Sequence, residues 1–342
     1  MIRKIIIAAT LTAVTASFGA GPAAAEGKRL ILGTPGIPPI FAATLPIVAD
    51  KMGFFKKYGA DVEVKFMESG TAAARALVSG DVDLALAPTP QVAAQSSNAD
   101  IDFVGLYGLP HPDFLLASTD PKKATCKDVV GQPVGVDAIN GARSVALRIM
   151  LVPCGIKLDA VKQIALPSVA TQQAMIAGSI TFGVLHIDEI PVLEQYGKPI
   201  TVVTSIRQAS PESHFAMITA RGDHLKADRQ AYVRVIAGII EAARFMKDPK
   251  NGDRFAEIAT VTGRTKEEAK SALLKLEAIG FFPAEDNGLD RKQLESVIAS
   301  QVKSGNIKPG KEPVKYERLI DETVWRDAMA MVNKQSSLAT KN

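Results

Sequence analysis

The sequence predicts an α/β protein of two doubly wound lobes, and three observations predict it. First, "RALVSGDVDLALAPTPQ" (residues 75–91) returns as "QAMIAGSITFGVLHIDE" (residues 173–189), each a helical end, a glycine, polar residues, an apolar run and a loop. Second, each stretch closes a βαβαβ series of the same order. Third, glycines stand at matched places in the two series. Gly53 and Gly155 follow the first helix and Gly80 and Gly178 the second, where helices commonly stop.

The first series runs "LILGT" (strand), "PGIPPI" (loop), "FAATLPIVADKMGFF" (helix), "VEVKFM" (strand), "ESGTAAARALVSG" (helix) and "VDLALA" (strand). Crossovers of this length imply parallel strands with helices on both faces. The second runs "PVGVD", "AINGARSVALRIMLVPCGI", "QIALP", "SVATQQAMIAG" and "ITFGVLH". One helix–glycine–strand match is ordinary in α/β proteins, whereas five elements in one order argue for duplication. After residue 210 a further strand, "SHFAMITA", precedes helices only: "RQAYVRVIAGIIEAARFMK", "RFAEIATVTG", "TKEEAKSALLKLEAIG", "LDRKQLESVIASQVKSG" and "YERLIDETVWRDAMAMV". Thr265 followed by Glu268 fits a capping box. Apolar spacing assigns Trp325 and Met329 to the core rather than to a cofactor.

The N-terminus reads as a secretory signal peptide over residues 1–25. Arg3 and Lys4 precede an apolar stretch that ends in small residues at Ala23 and Ala25. Thr, Ser and Gly interrupt that stretch before the roughly 20 apolar residues a membrane span needs. No later run is long enough either, so the expectation is an exported soluble protein in the periplasm. The 47% hydrophobic and 22% charged residues are ordinary for a globular chain that can bury a large core. The formal charge of +4 is spread over interspersed acids and bases, and no basic block singles out nucleic acid as a partner.

In open parallel sheets, ligands bind beyond the carboxyl ends of the strands. Two facing lobes then bring six loops to one crevice: residues 34–41, 68–71 and 88–91 from one, and 137–144, 168–172 and 186–189 from the other. The repeat supplies the two walls of a cleft.

The stretch "KMGFFKKYGADVEVKFMESGTAAARALVSGDVDLALAPTP" resembles the solute-binding proteins of bacterial ABC importers of the sulfonate, nitrate, taurine and thiamine-pyrimidine type. These carry a "GFF…G.DVE" segment followed by "SG…AL.SG.VD.A". "DVVGQPVGVDAINGARSVALRIMLVPCGI" matches the "DL.GK.VGV" that opens the family's second lobe, and the likeness extends over essentially the whole mature chain. "GSITFGVLHIDE" departs from the common "G.VDA", with Thr181 where an aspartate is usual. The resemblance implies a type II periplasmic binding fold: two doubly wound α/β lobes, two crossing segments, and a ligand in the interlobe cleft. The crossings are expected at residues 107–113 and 207–214, which gives a first lobe of residues 26–110 with 212–342 and a second of 111–211. It further implies a monomer that closes on a small-molecule solute and passes it to an ABC transporter permease in the inner membrane.

The candidate ligand residues follow from the loops and crossings. The first lobe offers Thr34, Pro38 and Phe41, then Ser69, Gly70 and Thr71, then Pro88 and Thr89. Phe41 and Pro38 either stack on a flat solute or start the helix core; Ser69 and Thr71 either face the solute or merely cap. The second lobe offers Asn140, Gly141 and Arg143 at a helix start whose free N–H groups carry positive character, with Ser168, His186 and Asp188 beyond. Arg143 either forks a carboxylate or sulfonate, or points into water. His111 and Asp113 stand on the first crossing and His214 on the second. Asp113, Asp188 and Glu189 either bind amines or pair with Arg143.

The solute is expected to be a small organic anion, with a neutral heteroaromatic such as a thiamine-pyrimidine precursor as the alternative. No cofactor is called for, and no histidine spacing supports zinc. An enzyme or a sensor adaptor on the same fold is the rival class, but no G-x-S-x-G or H-E-x-x-H occurs, so no catalytic residue is assigned. Cys126 precedes the first strand of the second lobe and Cys154 ends the helix after it. A βα unit returns the helix end to the strand's start, so the pair is expected as a disulfide away from the cleft.

Overall fold

The computed structural model describes residues 29–339 apart from Asp100, Asn140 and Pro167. The expected signal peptide lies outside the described residues. Ten strands form two sheets. The first holds β1 (Leu30–Pro35), β2 (Val62–Met67), β3 (Leu84–Pro88), β4 (Phe103–Leu109) and β10 (Ala216–Arg221), in the order β2-β1-β3-β10-β4. The second holds β5 (Phe114–Ser118), β6 (Pro133–Val136), β7 (Lys162–Ala165), β8 (Phe182–His186) and β9 (Thr201–Ser205), in the order β7-β6-β8-β5-β9.

The duplication is visible in the register. In each sheet the first strand of a round sits between the second and the third, all parallel. Beside the third lies an antiparallel strand that has just arrived from the other sheet: β10 next to β3, and β5 next to β8. Gly53, Gly80, Gly155 and Gly178 all have positive φ, between 67° and 84°, which an L side chain rarely adopts. The repeat in sequence is therefore a repeat of helix stops.

Four strands lie outside the two predicted series: β10, which is the further strand expected at "SHFAMITA", and β4, β5 and β9, which were not expected. The expected first crossing, residues 107–113, overlaps β4, because Tyr107, Gly108 and Leu109 pair with β10. The glycine there serves a close approach, not a turn: a Cβ on Gly108 would lie 2.3 Å from the Gly288 carbonyl oxygen, and Gly108 N–H donates to Asn287 O at 2.7 Å. Chain passes between the sheets from Leu109 to Phe114 and from Ser205 to Ala216.

The helices start where capping chemistry allows. Ser69 accepts from Ala72 N–H ahead of Gly70–Ser79, and Thr265 with Glu268 makes the expected capping box ahead of Lys266–Glu277. Helix Arg229–Lys247 buries eleven residues and packs on helices Thr44–Lys51, Phe54–Lys57 and Glu322–Ala339, its larger apolar side chains contributing about 1.5–3 kcal/mol each. The last predicted helix is two, Tyr316–Leu319 and Glu322–Ala339, because Ile320 leaves helical geometry to bridge Gly105. Trp325 and Met329 pack on the main core. Apolar contact continues through Leu273 and Leu276 of helix Lys266–Glu277 onto Ile187, Ile190 and Leu193 of the second lobe. The second sheet has its own core around Val134, Leu147, Met150 and Phe182.

Cys126 and Cys154 form the expected disulfide, Cα–Cα 6.2 Å, and neither residue lines a cavity described below. Among the described residues no helix is long and apolar enough to cross a membrane.

Candidate functional site

A cavity of about 540 Å³ opens where the carboxyl ends of β1, β3 and β8 meet. All six predicted loops contribute to its wall: Pro35–Phe41, Glu68–Gly70 and Pro88 on one side, and Asp137 with Arg143, Val169 with Gln172, and His186 with Asp188 and Glu189 on the other. Of the predicted residues, Pro38, Phe41, Ser69, Gly70, Pro88, Asp113, Arg143, His186 and Asp188 line it. Phe41 lines the cavity, and its ring packs edge-on to Phe255 at 5.8 Å, as the helix-core reading expected.

Six of the remaining predicted residues lie outside its lining. Thr34 is fully buried in β1, its hydroxyl donating to Lys65 O at 3.4 Å. Thr71 is exposed on the first turn of its helix. Thr89 and His214 are buried and satisfy each other, Oγ1 to Nδ1 at 2.7 Å, so neither is offered to a solute. His111 faces a different cavity. Gly141 is the N-cap of helix Ala142–Leu151, and the Asp137 carboxylate occupies the space beside its Cα. Asn140 lies outside the described residues, and Ser168 opens helix Ser168–Ala177.

The positive helix start expected after β6 is already occupied. Asp137 Oδ1 accepts from Ala138 N–H at 2.9 Å and from Arg143 N–H at 3.1 Å. Arg143 is likewise committed. Its fork donates to Glu189, Nη1 to Oε2 at 2.8 Å and Nη2 to Oε1 at 3.0 Å, and Nη1 also donates to Val184 O at 2.6 Å. The watery helix face does not hold for Arg143, which is 3% exposed; its partner is Glu189, one of the acids expected to bind amines or pair with it. Gln172 Nε2 and the His186 backbone N–H donate to the same carboxylate at 2.5 and 2.8 Å. Burial alone would raise the pKa of Glu189, but Arg143 outweighs it and holds it below the usual carboxylate value.

Beside this pair lies a second one. Arg264 Nη2 donates to Asp188 Oδ2 at 2.7 Å and its Nε to Asp188 O at 3.3 Å. Burial leads the causes that push Asp188 above its ordinary pKa, with Arg264 opposing. His186 Nδ1 is 2.8 Å from Asp113 Oδ1. Burial disfavours the charged imidazole, yet Asp113 overrides it and the His186 pKa stands above 6.5. Asp113, His186 and Asp188 bring ligand atoms within 4.8 Å of one another, the arrangement among the described residues able to hold a metal ion. Arg264 already balances Asp188 there.

The sequence reading missed three contributors. Phe114 and Phe215 line the cavity from the two crossings, their rings 6.3 Å apart and near perpendicular, and Phe114 lies 4.2 Å from the His186 ring. An aromatic residue at the start of each strand that follows a crossing, "HPDF" and "SHF", was the available signal. Arg264 comes from an interhelical loop 76 residues from its partner, and nothing local marks it. The lining thus carries five carboxylates, Glu68, Asp113, Asp137, Asp188 and Glu189, against two guanidiniums, both paired, over an apolar floor of prolines and phenylalanines.

Solved structures share this fold at low sequence identity. The alkanesulfonate-binding protein SsuA of Xanthomonas axonopodis pv. citri, bound to MOPS, superposes with a TM-score of 0.64 at 16% identity, covering 87% of this chain and 99% of that one. The nitrate-binding protein NrtA of Synechocystis PCC 6803 gives 0.65 at 15%, covering 89% of each. The ligand-binding component of an ABC-type import system from Staphylococcus aureus, with zinc bound, gives 0.65 at 11%, covering 88% and 98%. The fold is the periplasmic binding protein fold that the resemblance implied. No curated protein matches the sequence. A family profile does match, over residues 23–260, and the chain belongs to the NMT1-like family.

Proposed function

We propose that the protein is the solute-binding component of an ABC importer, exported to the periplasm, working as a monomer and handing its solute to an inner-membrane permease. The carrying observation is one cavity of about 540 Å³ walled by loops of both sheets and by both crossings, so that lobe closure and solute capture are one event. We assign residues 26–110 with 212–342 to the first lobe and 111–211 to the second, with helix Lys266–Glu277 lying across to the second. No chemical step is proposed; solute recovered unchanged after incubation supports a binder over an enzyme.

The solute class that the lining favours is a flat, neutral or amine-bearing heteroaromatic. Its ring faces Phe41, Phe114 and Phe215, and its donors face the surplus carboxylates. The anion expected from sequence has to separate Arg143 from Glu189 or Arg264 from Asp188, leaving a buried carboxylate uncompensated. The test is a thermal screen of aminopyrimidines and other amine-bearing heteroaromatics beside sulfonates, aryl carboxylates and nitrate. A ligand at a hundredfold excess over its Kd stabilises by about 2.7 kcal/mol, a shift of several degrees. Shifts confined to the anions would overturn the solute class, and no shift with any compound would count against the binding role.

A further inference from the structure

A second cavity, of about 490 Å³, lies behind the cleft and shares only Asp113 and Phe114 with it. Its polar wall comes largely from the connections between the lobes. His111 comes from the first crossing, Ser205, Arg207 and Gln208 from the second, and Ile279 from the end of the helix that lies across to the second lobe. No other described cavity is built from all three connections.

The polar groups here are arranged unlike those of the cleft. Arg207 has no carboxylate partner among the described residues, in contrast to Arg143 and Arg264. It lies close enough to His111 that, after burial, its charge is the main influence lowering the imidazole pKa, with Asp286 opposing. A guanidinium and an imidazole from different crossings therefore face one space, and neither is paired to an acid among the described residues. The Asp113 carboxylate in the wall is held by His186 on the cleft side. The Gln208 Oε1 accepts from the Ser205 hydroxyl at 3.1 Å, which leaves the Gln208 amide N–H groups without a protein acceptor among the described residues. Leu115, Ile187, Val202 and Ile279 supply an apolar remainder.

We propose that this hinge cavity binds a small organic monoanion with an apolar body, its carboxylate or sulfonate between Arg207 and His111. A guanidinium offers such a group two parallel donors, and a nearby imidazole gains a proton more readily beside an anion. The occupant ties the two crossings to each other and to Ile279. Lobe closure must change the backbone of those crossings, so the anion favours one lobe disposition and shifts solute affinity in the cleft. By linkage the cleft solute shifts anion affinity by the same factor.

The test uses the full mature protein, benzoate as probe and benzamide as its uncharged counterpart, with calorimetry and imidazole ¹⁵N spectra of the four histidines. Benzoate should bind at one site and raise the His111 pKa, benzamide should do neither, and Arg207→Gln should weaken benzoate by about tenfold or more. Arg207→Lys, which keeps the charge and loses the fork, should fall between. Arg207 is exposed, so these substitutions leave the buried core untouched. Equal binding of benzamide, undiminished binding by Arg207→Gln, or a benzoate response at His186 without one at His111 would each overturn the proposal; so would the absence of binding at millimolar benzoate.

Discussion

Acidification should destabilise the protein through His214, a residue on the second crossing. The imidazole is 2% exposed. Its Nε2–H donates to Gly288 O at 2.7 Å, because a carbonyl can only accept, and that leaves Nδ1 as acceptor for the Thr89 hydroxyl at 2.7 Å. The neutral tautomer fits both partners and the imidazolium does not. Burial pushes the pKa from 6.5 down to about 4, the Gly288 hydrogen bond opposing. The folded pKa lies below the unfolded one, so the unfolded chain takes up the proton first. The contribution is therefore complete above pH 6.5 and is lost as the pH falls from there to about 4. At about 1.4 kcal/mol per pH unit, that gap is worth about 3 kcal/mol. Urea unfolding of wild type and His214→Gln between pH 7 and pH 4 measures it. The variant keeps a donor and an acceptor but cannot titrate, and every other group titrates in both proteins. His186, whose raised pKa gives a contribution complete below pH 6.5 and lost as pH rises, cancels in the difference. The stability gap between the two proteins should shrink by about 3 kcal/mol across the range. A gap that stays constant with pH refutes the reasoning.

Arg143→Met should cost about 3–5 kcal/mol, because Glu189 stays buried without its cation; adding Glu189→Gln should recover part of the loss, and strict additivity in the double-mutant cycle would contradict the pairing. Gly108→Ala should lower stability by about 1–3 kcal/mol, read as a lower melting temperature, since the new Cβ meets backbone at Gly288 rather than a side chain that can swing away. Reducing the disulfide, which closes a sequence separation of 28, should cost about 3–4 kcal/mol on the chain-entropy estimate, and a thiol assay on unreduced, denatured protein should find no free thiol.

Much of the fold was legible because its signals are local. A helix stop needs one residue with positive φ, and Gly53, Gly80, Gly155 and Gly178 stand in the sequence at those stops. The parallel strands announce themselves as apolar runs between them. What escaped were segments whose local chemistry points elsewhere. "YGLP" reads as a break, yet Tyr107 to Leu109 are strand, and the glycine is required by the Asn287–Gly288 backbone pressed against it from 180 residues away in sequence, a neighbour no window on the chain contains. Likewise "YERLIDETVW" has helical composition throughout, and only the bridge from Ile320 to Gly105 interrupts it.

The site divides along the same line, and the division decides what can bind. Which loops meet follows from strand order alone, so all six reached the cavity. The charge that a loop presents there depends on pairings between distant residues: Arg143 with Glu189, 46 positions apart, and Arg264 with Asp188, 76 apart. From sequence, Arg143 at a helix start looks like an anion receptor twice over, through its fork and through the N–H groups beside it. In the folded protein Asp137 takes the Arg143 N–H and Glu189 takes the fork, so an acid of the protein already faces both positive elements. A buried guanidinium without a partner is costly, and a carboxylate fixed by Gln172 and the His186 N–H neutralises it with little reorganisation. An incoming anion competes with that preorganised carboxylate, whereas an amine or a ring nitrogen meets the acids left over. Arg207, exposed at the hinge and without such a partner among the described residues, is a positive charge left available beside the cleft.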